Sequence, residues 1–481
     1  MALLAAAAWL GSCDDTINPT PPKETNQSPE TFLYVESDSL APQLYRLKLS
    51  WLGSDADGQV VAYRHRWTCP SGTFSCPLDT VWSETQALSQ VFVLPVPDGE
   101  ARYVFSVAAV DNEGTPDATP ATQTFDLLNT SPVVEFEAGT LPLQSLPAIT
   151  FYFTAADSDT TAKQDDGDSP GYLSHFVVWL DGSESSPTLV PSAEGAVTLR
   201  EEDFGDRYGP RTIFAQVVDE GGAVSPTIQH TWEVQSAPED GILLVDDCRM
   251  GGNLERVSDN SWRNVLDRNA AARTRILDIE ALPRVNRNDL EANLALFDRT
   301  IWYTDADTTS SGALQLASSA LLALIDRNGK LVISSGLVFG TRSAFGELEP
   351  LFRERFGIET VFSAPAGGTN FALSLQDTIQ AAVHPGLTSF RMRSLGLRPI
   401  MDCFRSVAST ATRFLYFYPE STLVRGGFSN PERYDIGVAN MVAGGGQTAY
   451  MSFPLGLPMN TNTGENETEI EEVLKLVGIL P

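Results

Sequence analysis

The chain has 481 residues, too many for one ordinary domain at roughly 150 residues each, and 42% of them are hydrophobic, enough to bury several cores. Its 62 Asp and Glu against 32 Lys and Arg leave a formal net charge of -30. That balance excludes nucleic acid as an expected partner, because such binding rests on Lys and Arg neutralising phosphates. Past the N-terminus, no stretch reaches the roughly 18 consecutive apolar residues of a membrane helix.

Residues 1–13, "MALLAAAAWLGSC", form an apolar run that ends at small residues and a Cys, followed by two acids. An apolar run before a small-residue cleavage site is a signal-peptide pattern. Leu10, Gly11, Ser12 and Cys13 resemble the lipobox of bacterial lipoproteins. The resemblance implies cleavage before Cys13, acyl chains on it, and a membrane-anchored envelope protein, periplasmic or at the cell surface. One departure is that no Lys or Arg precedes the run. Residues 14–30 are polar and Pro-rich, and read as an extended tether. In an oxidising compartment Cys69 and Cys76, which bracket the loop in "CPSGTFSC", can pair. A zinc reading would add His65 but lacks a fourth ligand nearby. Cys248 and Cys403 read as buried thiols.

From 31 to 237 short alternating runs are separated by Gly, Pro, Asp and Asn, as in "YRLKLSWLG", "QVVAYRHRW", "SQVFVLP" and "ARYVFSVAAV". This spacing predicts β-sandwiches. The pattern then recurs. "LSWLGSDADG" aligns with "ITFYFTAADSD", and "RYVFSVAAVDNEGTPDATP" aligns with "RTIFAQVVDEGGAVSPTI". Two tandem modules follow, over 31–130 and 131–237, joined near "NTSPVVEF". They resemble the fibronectin type III and immunoglobulin-like modules of bacterial surface proteins. Such modules serve as spacers or in adhesion.

The second module contains the acidic stretch "DSDTTAKQDDGDS". Two readings stand. Asp157, Asp159, Asp165, Asp166 and Asp168 offer the clustered oxygens that calcium takes. They are equally ordinary turn residues that bond their own backbone, the reading preferred for Asp55 and Asp57. No other cofactor is expected. Trp51, Trp67, Trp82 and Trp179 leave a carbohydrate-binding reading open, against plain core packing.

After "SAPEDG" the pattern changes. Over 240–481, short continuously apolar strands ("GILLVDD", "TRILDIE", "TIWYT", "KLVIS") alternate with helical patterns at 259–269, 287–297 and 311–327. Later strands are "FLYFYP", "DIGVANMVA" and "TAYMSFP". This order predicts an α/β three-layer domain with a mainly parallel sheet. Asn466 and Glu469 predict a capped start for the last helix, with Ile470, Val473, Leu474 and Val477 as its apolar face and Gly478 as its stop. The order of "ILLVDD", "FDRTIWYT", "LIDRNGKLVISSG" and "TAYMSFPLG" resembles class I glutamine-amidotransferase-like, flavodoxin-like domains.

In that family the nucleophile occupies a tight elbow flanked by small residues. Here Ser334 follows Val332 by two places, and Ser335 lies between Ile333 and Leu337. The family's Cys is absent from this position, and His384 is followed by Pro385 and Gly386 rather than an acid. A serine needs a base to lose its proton. No catalytic residue is therefore expected, and a hydrolase using Ser334 or Ser335 with His384 is the alternative. Asp246, Asp247, Asp305 and Asp307 follow two strands and offer a cation or ligand pocket if they converge. The chain thus reads as a non-catalytic, lipid-anchored envelope protein whose α/β domain binds an envelope protein or a glycan.

Overall fold

A computed structural model describes residues 25–35, 43–70, 81–97, 99–161, 172–205, 207–249, 252–304, 312–335, 350–362, 371–372, 378–381, 387, 390–391, 400–401, 403–406, 412–418, 434–441, 447–453, 455–456 and 465–481. The chain divides into two compact units. One comprises Met1–Pro132, Asp157–Leu173 and Val218–Val224; the other comprises Val133–Ala156, Ser174–Val217 and Ser225–Pro481.

Among the described residues the first module has eight strands: β1 (Glu30–Val35), β2 (Gln43–Leu44), β3 (Arg46–Ser54), β4 (Val60–Thr68), β5 (Ser83–Thr85), β6 (Ser89–Val93), β7 (Glu100–Asp111) and β8 (Ala121–Leu128). They form a three-stranded sheet, β1-β3-β6, and a five-stranded sheet, β2-β8-β7-β4-β5. Alternation in β3 explains the burial: Leu47, Leu49 and Trp51 point inward while Lys48 and Leu52 face out. The core between the sheets is aromatic. Trp51, Trp67 and Phe92 surround Phe105, with ring centroids 4.8–5.9 Å from it. His65 lies in the same cluster, 5.3 Å from Phe92, and its burial lowers its pKa. Its ring is a core group here.

The second module repeats the first strand for strand. Its strands are β9 (Val133–Phe136), β10 (Gln144–Ser145), β11 (Ile149–Ala156), β12 (Leu173–Leu180), β13 (Thr188–Pro191), β14 (Ala196–Leu199), β15 (Gly209–Asp219) and β16 (Ile228–Val234). A one-turn helix, α1 (Glu201–Phe204), buries Phe204. The sheets are β14-β11-β9 and β10-β16-β15-β12-β13, the same orders as in the first module. In both copies the two-residue strand pairs in parallel with the last strand while the other pairs run antiparallel.

An α/β region follows: β17 (Ile242–Asp247), α2 (Gly252–Ala270), β18 (Thr274–Asp278), α3 (Arg287–Ala295), β19 (Arg299–Thr304), α4 (Ala313–Leu316), α5 (Ser318–Asp326) and β20 (Lys330–Ser334). Further strands are β21 (Ile358–Phe362), β22 (Phe371–Ala372), β23 (Thr378–Ala381), β24 (Phe390–Arg391), β25 (Ile400–Met401), β26 (Cys403–Ser406), β27 (Thr412–Tyr418), β28 (Tyr434–Met441) and β29 (Gln447–Met451), before helix α6 (Glu465–Val477). The main sheet runs β18-β17-β19-β20-β29-β28-β27-β23-β24. Its first five strands pair in parallel. From β28 onward the pairing is antiparallel, so the sheet is mixed rather than mainly parallel. Only five residues separate β28 from β29, and a parallel crossover needs a dozen or more.

Alternate strand residues feed two cores. Leu244, Ile301, Tyr303, Val332 and Met451 pack with Trp262 of α2 and Leu474 of α6. Leu243, Val245, Trp302, Leu331 and Ile333 pack with Leu290 of α3 and Leu321 of α5. Leu146 of the second module belongs to that second core. Thr150 Oγ1 donates to Asp289 Oδ1 on α3 at 2.6 Å, and Asn293 Nδ2 donates to the Ala148 carbonyl at 3.1 Å.

Two helix expectations need correction. The single helix expected over 311–327 is two segments, α4 and α5, separated at Ala317. Asn466 lies inside α6 rather than capping it, because the helix already includes Glu465. At the other end Gly478 takes φ +74, and Ile479 N–H reaches back to the Leu474 carbonyl at 2.8 Å. Glycine accepts that left-handed backbone without strain.

Phe105 is fully buried and touches four aromatic neighbours, Trp51, His65, Trp67 and Phe92. Phe105→Ala should therefore destabilise the first module by about 3–5 kcal/mol. Urea unfolding followed by circular dichroism measures this; a loss below about 1 kcal/mol would contradict the packing described.

Candidate functional site

The same loops build an oxygen-rich nest in each module. In the first, Asp111 ends β7. Its Oδ1 accepts the N–H groups of Glu113 and Thr115, each at 2.8 Å, and its Oδ2 accepts Asn26 Nδ2 at 2.6 Å. Asp55 Oδ1 accepts the Asp57 N–H at 3.3 Å, and Asp57 Oδ2 accepts the Gln27 N–H at 3.1 Å. In the second, Asp219 ends β15. Its Oδ1 accepts the Ala223 N–H at 2.9 Å and Asn129 Nδ2 at 3.3 Å. Asp157 Oδ1 accepts the Asp159 N–H at 3.0 Å, and Asp159 Oδ2 accepts the Thr130 N–H at 2.6 Å. Asn26-Gln27 and Asn129-Thr130 therefore do the same work, each within an Asn-x-Ser-Pro stretch that opens its module. Short acidic side chains suit these places because they reach nearby backbone N–H groups.

Asp111 and Asp219 are equally buried, 1% and 2% exposed, and the nests differ in the burial of the acids beside them. Asp57 is exposed, whereas Asp157, Asp159 and Asp219 are 5%, 8% and 2% exposed. The charge states follow. The Asn26 amide, with the Thr115 and Glu113 N–H groups, holds the Asp111 carboxyl below its usual range. Burial raises Asp219, and the neighbouring charge of Asp157 raises it further. Burial also raises Asp157. Tyr45 donates to Asp157 Oδ2 at 3.4 Å, and burial pushes its own hydroxyl pKa up. A Cβ on Gly221 would stand 2.5 Å from Asn129 Nδ2 and 2.9 Å from the Tyr45 ring, so only glycine fits there.

A second polar group lies at the carboxyl ends of the parallel strands. Register aligns Asp246 with Tyr303, and Tyr303 with Ser334. The Tyr303 hydroxyl sits between two acids, donating to Asp259 Oδ1 at 3.0 Å and also bonded to Asp246. One hydroxyl proton cannot serve two carboxylates, so the pair favours a proton on one of them. Burial, then the charge of Asp246, pushes Asp259 up to about 6. Burial raises Asp246 as well. Arg263 Nη2 donates to Asp246 Oδ2 at 3.3 Å.

The expected pocket of Asp246, Asp247, Asp305 and Asp307 does not assemble from the part that is described. Strand alternation sends Asp246 toward Arg263 of α2 and Asp247 toward the Trp302 indole N–H, 3.3 Å away. Asp305 and Asp307 lie outside the described residues, as do Cys13, Cys76, Asp165, Asp166, Asp168 and His384. Cys69 is disulfide-bonded. Cys248 is a free, buried thiol. Ser334 is fully buried; its hydroxyl donates to the Phe453 carbonyl at 3.0 Å and accepts the Leu455 N–H at 2.8 Å. Ser335 is also buried and accepts from Thr304 Oγ1 at 2.5 Å.

Among the tryptophans, Trp51 and Trp67 are core residues. Trp82 is half-buried under the Arg66 guanidinium, 4.6 Å from its ring centroid. Trp179 is half-buried and stacks on Phe214 at 5.5 Å. Sequence reasoning singled out neither Asn26 nor Asn129, and used Asp111 and Asp219 only as markers of the repeat. The recurring Asn-x-Ser-Pro was the available signal. For Asp259, Arg263 and Tyr303 no local pattern exists, since strand register and one helix bring them together.

No family model matches the chain, and no curated protein matches it. Among solved structures it is similar to the fibronectin(III)-like modules of Clostridium thermocellum CbhA, at 14% identity over 43% of this chain and 95% of that one, with a TM-score of 0.20. It is similar to the PKD1 domain of Vibrio anguillarum Epp, at 16% identity over 22% of this chain and 98% of that one (TM-score 0.15). It is also similar to the FN1-FN3 domains of chicken CNTN1, at 14% identity over 44% and 67% of the two chains (TM-score 0.17).

The Asp259 carboxyl binds its proton more tightly in the folded protein than in the unfolded chain. Its contribution favours folding at low pH and is lost as pH rises from about 3.8 to about 6. Asp259→Asn keeps an acceptor for Tyr303 and removes that titration. The variant's melting temperature should fall less than that of the unmodified chain between pH 4 and pH 7. Equal slopes in a thermal melt series would contradict the assignment.

Proposed function

We propose that the chain is an exported, lipid-anchored envelope protein, tethered through Cys13 and residues 14–30. Two fibronectin III-like or immunoglobulin-like modules act as spacer or adhesion units. They present a three-layer, flavodoxin-like α/β domain that resembles class I glutamine amidotransferases, lacks their chemistry, and binds an envelope protein or a glycan. The observation that carries this reading is the repetition of one sandwich, with the same sheet orders and the same loop bonds in both copies.

The non-catalytic part rests on hydrogen bonding at the strand end. The Ser334 hydroxyl proton is committed to the Phe453 carbonyl, which leaves none for a base to take. A glycan partner is favoured by one further observation. Trp179 and Phe214 stack ring on ring, part-exposed, on the sheet face opposite the buried Phe176 and Val178. Flat aromatic faces of this kind suit the apolar faces of sugars.

Cell fractionation tests the anchor. The unmodified chain should sediment with membranes, and Cys13→Ser should move it to the soluble fraction. A Cys13→Ser variant that stays with the membranes would overturn the lipid-anchored reading.

A further inference from the structure

The nest in the second module holds more buried oxygen than its donors satisfy. Asp219 Oδ2 and Asn129 Oδ1 are both buried, and neither has a hydrogen-bond partner. Their residues are only 2% and 6% exposed. The two side chains are already joined, since Asn129 Nδ2 donates to Asp219 Oδ1. Asp157 adds charge beside Asp219, and Asp159 follows two residues on, held against Thr130. Asp219 makes no ion pair among the described residues; Arg46 pairs with Glu220 at 2.9 Å and lies over the Tyr172 ring at 4.5 Å, and its Nε is buried without a partner. Burying carboxylates and an amide oxygen with open lone pairs is costly unless a cation or a proton meets them.

We propose that this nest is a calcium site, built from the carboxylates of Asp157 and Asp219 and the amide oxygen of Asn129, with Asp159 and water completing the shell. Calcium takes six to eight oxygens and accepts amide and carboxylate donors alike. Among the described residues no three acidic, histidine or cysteine side chains converge as a metal group. The first module keeps the same four positions, Asn26, Asp55, Asp57 and Asp111. There Asp111 already has donors on both oxygens, so the inference is confined to the second nest. The consequence is mechanical. Calcium would pin the turn at 157–159 and the turn at 219–223 to Asn129, in the segment that joins one module to the next.

A proton is the competing occupant. The groups facing Asp219 and Asp157 are Tyr45, Asp159, Glu220 and Arg46, and protonation of Asp219 would relieve the same oxygens. Thermal melts of the full chain separate the two. At pH 7.5, millimolar calcium against chelator should raise the melting temperature by several degrees, because a ligand of the folded state stabilises it by mass action. Asp219→Asn, which keeps an acceptor for the Ala223 N–H, should lose that rise, and so should Asp157→Asn. Terbium luminescence excited through tyrosine reads the same site on the unmodified chain if a variant does not fold; it should appear and be displaced by calcium. The proposal is overturned if calcium leaves the melt unchanged, if both variants respond as the unmodified chain does, or if only acidification stabilises the protein.

Discussion

A buried carboxylate needs donors, and in this protein the donors are backbone N–H groups. Asp111 and Asp219 each end the longest strand of their module and accept the N–H four residues on. The bond closes the turn that leads to the next strand. The same carboxylate takes the amide of the asparagine that opens the module. Two segments far apart in sequence therefore meet at one acid. Without them the loop ends of both sandwiches would expose unpaired backbone groups.

The two copies of one arrangement end in different charge states. At Asp111 hydrogen bonds win, and the carboxyl is held ionised. At Asp219 burial and a second acid win, and the charged form is disfavoured. Sequence position and strand order are the same; only the surroundings differ. The same competition recurs at the sheet edge, where Tyr303 stands between Asp246 and Asp259. Both acids there are pushed upward by burial. Perturbed acids at the carboxyl ends of parallel strands mark a common place for binding. The Ser334 hydroxyl donates to the Phe453 carbonyl beside this edge, and Ser335 accepts from Thr304.

Much of the architecture was legible. The recurrence of "LSWLGSDADG" as "ITFYFTAADSD" and of "RYVFSVAAVDNEGTPDATP" as "RTIFAQVVDEGGAVSPTI" marked two copies, and the sheets repeat in the same order. The apolar runs Ile242–Val245 and Leu331–Ile333 are buried on both faces, as continuous strands must be. The direction of β28 was not legible, because an apolar run looks the same in either direction and only the short connection to β29 hints at it. The paired acids were half legible. Asp246 and Asp247 were noticed as neighbours in sequence, but alternation separates them, and the true neighbour Asp259 lies about two turns into α2. The place of His65 was not legible either: it stands beside two cysteines in sequence, while the pleat turns it into an aromatic core.

Amide hydrogen exchange, followed by mass spectrometry or NMR, tests the central claim that carboxylate-to-backbone bonds hold the loops of both modules. The account predicts that the N–H groups of Thr115, Ala223 and Thr130, which lie in loops, exchange slowly, and that Asp111→Ala and Asp219→Ala speed exchange at Thr115 and Ala223 respectively while leaving the other module unchanged. Exchange of these amides at the rate of an open chain in the unmodified protein would contradict it.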